Sequence, residues 1–339
     1  MVVGVFGVPS ALTNFGAQIV CAILKEIFGG CELVVARTVE DVAKYLSKTG
    51  IRSAILFNEY PDPLLVTLLA EEKVPIILFL NSFSYTVSEL MSTGPLAVTD
   101  AVRTATICFS AIEEALAHHP MIIRSDVSRN AIGELTLSII KFLKLSVRQD
   151  QLNNILAEIT SKAGERKVFY FEDCSSLTLD PANCDAGVSG RKIQQQMPSF
   201  CGYESVLEGK LITSVQWPAE VFIAADQKGA PADHDIDLIG PARFLIYGPY
   251  FGLPRGKWLA RPSFQLGENI SGNRLLVDVV GSGNVLALGQ CDLPTAGSFS
   301  LELAFEVSKP SLALEMRFQL MQGAIEGTFR LDQVSFLRL

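Results

Sequence analysis

The sequence predicts two folds in one chain: an α/β domain with a doubly wound parallel sheet in three layers, then an antiparallel β-sandwich. Three observations carry this. Over residues 1–162 short apolar runs alternate with amphipathic stretches, as a βαβ series requires. From 242 to 339 the apolar period changes to two, with no helical pattern between the runs. The chain has 339 residues, 49% hydrophobic and only 19% charged, enough apolar surface for two cores.

In the first domain the expected strands are Val2–Phe6, Glu32–Ala36, Ser53–Phe57, Pro75–Leu80 and Met121–Ile123. They are short and nearly all apolar, as strands covered by helices on both faces must be. Helical patterns fall at Asn14–Phe28, Val39–Lys48, Pro63–Glu72, Tyr85–Met91, Ala97–Ala117 and Asn130–Leu143. Thr38 precedes Val39-Glu40-Asp41 as an N-cap with acids in the first turn, and Gly50 marks that helix's end. Gly29-Gly30 closes the helix before the second strand. Residues 163–241 form a connecting region rich in Asp, Pro, Gly and Ser that contributes to the second domain. It holds a strand at Lys167–Phe171, a short helix at Gly190–Gln196 and broken strands over Ile212–Ile223. The sandwich strands are Phe244–Tyr247, Leu275–Val280, Val285–Leu288, Ser298–Glu306, Leu312–Leu320 and Gly327–Arg338.

Composition excludes several functions. A formal net charge of −8, with no cluster of Lys and Arg, argues against a nucleic-acid surface and leaves a small or neutral molecule as the expected partner. The first apolar run ends at Gly7-Val8-Pro9, too early for a signal sequence or a membrane span. Seven cysteines without CxxC spacing read as reduced thiols of a cytoplasmic protein. No metal site is expected. His118 and His119 are adjacent at a helix end and point in different directions, and the tract Asp233-His234-Asp235-Ile236-Asp237 lacks a turn glycine and reads as an exposed loop.

The chemistry-bearing candidates lie at strand ends. Val2–Phe15 runs from a buried strand through a turn at Gly7 and Pro9 into a helix whose first N–H groups lack intrahelical partners. Two readings stand: a turn needing Gly7 and Pro9 for geometry, or an anion site made by those N–H groups with Ser10 and Thr13. Glu59 and Asp62 follow the third strand on the edge where α/β folds place ligands, as a general base and its partner. Pro61 and Pro63 make an ordinary turn the alternative.

Gly7–Phe15 aligns without gaps on the G-x-P-[RK]-S-G-T-T-W loop of the bacterial sulfotransferases, which the first domain resembles over most of its length. Pro75–Ser88 resembles that family's strand and turn for the donor's 3′-phosphate, and Arg124–Val127 through Phe142–Leu145 to Gln151-Leu152 resembles a further fold marker. The resemblance implies a P-loop-like domain, sulfuryl transfer and the donor PAPS. The chain departs from the pattern at Ser10, Ala11 and Leu12, where the family has Arg or Lys, Ser and Gly, and at Leu80 and Asn81, where it has Arg; Ser88 is retained. Losing one group that stabilises developing charge typically costs about 2.7–4 kcal/mol. Two such cations are missing, so PAPS is not expected to bind, and Ser10, Thr13 and Ser88 remain as a degenerate anion site.

Tyr247-Gly248-Pro249-Tyr250-Phe251-Gly252-Leu253-Pro254-Arg255-Gly256-Lys257-Trp258 resembles a segment of jelly-roll modules attached to bacterial glycosyltransferases and polysaccharide-processing proteins. It implies carbohydrate binding, with Tyr247, Tyr250, Phe251 and Trp258 as a stacking platform and Arg255 beside it. The other reading makes these aromatics filling for the sandwich edge. Together the domains predict a sulfotransferase-related protein that acts on or binds a saccharide in surface-polysaccharide assembly, with PAPS binding lost. A non-catalytic glycan-binding or assembly protein, a degenerate pseudoenzyme, is the alternative. Transfer from a different donor, with Glu59 or Asp62 as base, is a third.

Overall fold

The computed structural model describes residues 1–47, 52–59, 62–93, 96–124, 132–165, 195–227, 229–270, 272–310 and 312–339. The chain divides into two units: Met1–Thr93 with Ala111–Asp180 and Val206–Lys210, and Gly94–Ser110 with Pro181–Ser205 and Leu211–Leu339.

In the first unit β1 (Val2–Gly7), β2 (Glu32–Val35), β3 (Ala54–Asn58), β4 (Ile76–Leu80) and β5 (Met121–Arg124) form a parallel sheet in the order β2-β3-β1-β4-β5. The helices are α1 (Ala11–Phe28), α2 (Val39–Leu46), α3 (Pro63–Glu71), α4 (Phe83–Thr93), α5 (Val98–Leu116), α6 (Ile132–Phe142) and α7 (Gln149–Glu165), α5 belonging to the second unit as far as Ser110. β1, β3 and β4 are buried almost throughout, which is why their sequences are continuous apolar runs. Val3, Val5, Ile55, Ile77 and Phe79 share one core with the inner face of α1 and with apolar residues of α6 and α7. By length and composition α1 also suffices to cross a bilayer, contrary to the expectation of no such segment, yet half of it is buried inside the fold. The chain leaves β1 for the β2 edge, returns through β3, and then crosses to β4. Strand order therefore reverses at the β1/β4 boundary, and the crevice beyond their carboxyl ends is where this topology places ligands.

The second unit is an antiparallel β-sandwich. One sheet runs β13 (Asn284–Asp292), β12 (Arg274–Gly281), β16 (Ala313–Leu320), β9 (Arg243–Tyr247) and β7 (Ile223–Ala224), with β10 (Pro249–Gly252) on β16. The other runs β14 (Gly297–Ser300), β11 (Gly256–Gly267), β17 (Thr328–Arg338) and β6 (Ser214–Pro218), with β15 (Leu303–Val307) on β11 and β8 (Ile236–Asp237) on β17. Inward rings meet between the sheets: Phe318 of β16 lies 6.0 Å from Phe329 of β17.

Several boundaries differ from expectation. α1 starts at Ala11 and not Asn14, because Ser10 caps it. Ser298–Glu306 is two strands, and β11 is a strand of 12 residues where none was expected. Within the acidic tract, Ile236-Asp237 pairs with β17 as β8. Gly50, Lys167–Phe171 and most of Gly190–Gln196 lie outside the described residues.

Candidate functional site

The β1–α1 turn is fixed by its own side chains. Ser10 is extended (φ −167°, ψ 155°), and its Oγ accepts the Thr13 N–H at 3.2 Å. The Thr13 hydroxyl, fully buried, donates to the Val8 carbonyl at 2.7 Å. With that proton committed, the Ser10 hydroxyl donates to Thr13 Oγ1 across 3.0 Å. Both hydroxyls of the expected anion site thus hold the turn together. Ser88 sits on α4 with its hydroxyl on the Ser84 carbonyl at 2.8 Å. Asp62 is the N-cap of α3, accepting the Leu64 N–H at 3.0 Å. That bond gives Asp62 a structural task apart from the one expected of it.

The start of α1 is occupied from within. Ala11 donates its N–H to Glu89 Oε1 of α4 at 2.6 Å. Glu59, just beyond β3, takes Asn14 Nδ2 at 2.7 Å and also the Ser10 backbone N–H. The unpaired N–H groups and positive dipole of a helix N-terminus attract an anion, and here two of the chain's own carboxylates meet that demand. Burial pushes both carboxyls above the ordinary glutamate range. Hydrogen bonds from Ser10 and Asn14 offset this at Glu59, and those from Ala11 and Tyr85 offset it at Glu89, where the Glu59 charge adds to the rise. Sequence reasoning placed Ser10, Thr13 and Glu59 here and missed Glu89. A signal was present: Glu89 is the one charged residue in Phe83-Ser84-Tyr85-Thr86-Val87-Ser88-Glu89-Leu90-Met91-Ser92-Thr93. Nearby, where the sulfotransferase pattern has Arg, Asn81 is fully buried and its amide finds no partner among the described residues.

The sign of the pH effect follows from these directions. A carboxyl raised in the folded state favours folding while protonated. Its contribution is complete below the unfolded value of about 4.3 and is lost as pH rises through the folded one. Glu89→Gln keeps an acceptor for Ala11 and removes the titration. In urea unfolding at pH 5 and pH 8, the variant is expected to lose less stability than the parent over this interval and to exceed it at pH 8; an unchanged pH slope would contradict the assignment.

In the sandwich, burial corrects the expected platform. Trp258 is fully buried on β11; its Nε1 donates to the Pro254 carbonyl at 2.9 Å, and the Arg338 guanidinium lies 5.7 Å from its ring centre. Phe251 is also fully buried, its ring 5.4 Å from Trp217 and 5.9 Å from Phe200. Neither ring has a face left for a sugar. Tyr250 is half-buried under the Arg103 guanidinium, and its hydroxyl donates to Glu315 Oε1 at 2.7 Å. Burial first, then Glu315, pushes this phenol up to about 12. Tyr247 is half-buried and Arg255 exposed, so these two of the five retain solvent access.

The segment instead seats the first part of α5 within the second unit. Arg103 Nε and Nη2 donate to the Pro249 carbonyl at 3.3 and 3.2 Å, and Gly252 donates its N–H to Thr106 Oγ1 at 3.1 Å. A Cβ on Gly252 would stand 2.9 Å from Ile107 Cα, so this approach needs glycine. The buried Tyr203 hydroxyl donates to the Gly252 carbonyl at 2.6 Å and accepts from Trp217 Nε1 at 3.2 Å.

No family model matches the chain, and no curated protein matches it. Solved structures similar to parts of it include two kinds. One is a mouse sulfotransferase complexed with PAP, at 10% identity and TM-score 0.38, covering 48% of this chain and 65% of that one. The other comprises carbohydrate-binding modules. The C-terminal CBM6 of LamC, a marine laminarinase from Zobellia galactanivorans, matches at 13% identity and TM-score 0.25, covering 37% of this chain and 99% of that one. TmCBM61 in complex with β-1,4-galactotriose matches at 11% and 0.24, covering 35% and 81%.

Proposed function

We propose that this chain is a cytoplasmic saccharide-binding protein of surface-polysaccharide assembly, with an α/β domain related to sulfotransferases that does not take PAPS. One observation carries the donor half: the Glu89 carboxylate on the Ala11 N–H, with Glu59 beside it. An anionic donor would have to displace both acids from the helix start while Ser10, Leu80 and Asn81 offer no cation in return. The saccharide half is supported by the β-sandwich and by the likeness of Tyr247–Trp258 to a segment of jelly-roll modules attached to glycosyltransferases and polysaccharide-processing proteins. A non-catalytic role follows most directly from a filled cradle. A catalytic reading draws on the upward shift of the Glu59 carboxyl, which suits a general base toward a donor without phosphate.

Calorimetry on the intact chain tests the proposal. Neutral oligosaccharides are expected to bind and adenosine 3′,5′-bisphosphate is not. Silence across a broad glycan array would remove the saccharide half.

A further inference from the structure

The geometry points to a binding site for a neutral saccharide at a cavity in the second unit, lined by none of the residues of the Tyr247–Trp258 segment. Its volume is about 460 Å³. Small-ligand sites span roughly 300–1,000 Å³, so the space suits a short oligosaccharide. Three carboxylates line it, Glu220, Asp233 and Asp332, together with the Arg330 guanidinium and the Gln195 amide; Ala219 and Leu331 complete the wall. Arg330 and Asp332 stand two apart on β17, hence on one face, while the buried Leu331 between them turns inward.

The chemistry of this lining selects the ligand class. Carboxylates accept hydrogen bonds from hydroxyls, and the guanidinium and amide donate to hydroxyl and ring oxygens, so both halves of a sugar's hydrogen-bonding capacity are met. Three acids against one guanidinium disfavour a phosphate, a sulfate or a uronic acid. No group of His, Cys, Asp and Glu arranged to hold a metal occurs among the described residues. Two acids are held in place before any ligand arrives. Glu220 Oε1 accepts Gln196 Nε2, and Asp332 Oδ1 accepts Gln265 Nε2, each at 2.9 Å. Arg330 is only loosely drawn to Asp235, at 3.8 Å. Held acceptors with an adjustable donor fit recognition of neighbouring hydroxyls on one ring. Asp233 belongs to the acidic tract expected to be a plain exposed loop; the fold brings it to residues nearly a hundred positions away.

This inference rests on the saccharide reading above and locates its site. The test is calorimetry of the full chain with maltotriose, cellotriose, laminaritriose, β-1,4-galactotriose and mannotriose, each against its sulfated counterpart. The variants are the double substitution Arg330→Ala/Asp332→Ala and, separately, Gln195→Ala, which disturbs no ion pair; thermal melts check folding. At least one neutral trisaccharide is expected to bind, about tenfold or more weaker in the double variant, given that hydrogen bonds to charged groups are lost. Leu288→Ala, an exposed position on β13 in the other sheet, should leave binding unchanged. Equal affinity in parent and folded cavity variants would overturn the site while leaving the saccharide reading standing. Tighter binding of a sulfated trisaccharide would overturn the ligand class. Failure of every trisaccharide to bind would remove both.

Discussion

Gly7→Ala is expected to destabilise the first unit by about 3 kcal/mol or more, the cost of overpacking a site that cannot relax. A Cβ at this position would lie closer than 3.0 Å to both Thr13 Oγ1 and the Phe79 carbonyl oxygen. Neither neighbour can yield. Phe79 is opposite Gly7 in the β1–β4 ladder, and the Thr13 hydroxyl is the internal lock of the turn. Relief would require parting β1 from β4 or lifting the start of α1, and either movement breaks the contacts of Ala11 and Asn14 with the two glutamates. Gly30→Ala, where no atom of the described residues lies within 4 Å of an added Cβ, is the control. Equilibrium denaturation should show the unfolding transition of the Gly7 variant moved far to lower denaturant and that of the Gly30 variant almost unmoved. An unshifted Gly7 variant would contradict the turn as described.

Trp258→Ala should cost about 3–5 kcal/mol, as removal of a fully buried aromatic usually does. The ring has no exposed surface, it faces Phe305 across the β11–β15 register, and its loss strands the Pro254 carbonyl that its Nε1 satisfies. The measurement is the denaturation midpoint of the intact chain, with Tyr247→Ala for comparison at a smaller cost. This changes how a binding assay on Trp258 is read. Loss of a glycan in that variant reports damage to β11 before it reports a missing contact. Parental stability combined with lost binding would restore the ring to a ligand platform.

These two residues show what the sequence makes legible. Gly7 stands out because a run of buried-strand residues stops beside a proline, and local turn chemistry is a short-range property. The two fold classes were legible for the same reason: β1 is apolar at every position, whereas β16 alternates in Ala313-Leu314-Glu315-Met316-Arg317-Phe318-Gln319-Leu320. Trp258 misleads because its inward companions on β11 include Ala260 and Pro262, which mask the alternation that burial displays. The platform reading then took the aromatics near two Gly and Pro turns for surface. Glu89 stands out as the lone charge of α4, but nothing local names its partner. Its contact with Ala11 spans 78 residues and depends on α4 following β4, the strand next to β1, which no spacing rule reveals. The cavity acids are likewise united only by the pairing of β17 within its sheet.

The filled helix start is the centre of this account, and a titration of adenosine 3′,5′-bisphosphate into the intact chain at neutral pH tests it most directly. With Glu89 and Glu59 on the first turn of α1, the expected result is no measurable binding. Sub-micromolar affinity would contradict it.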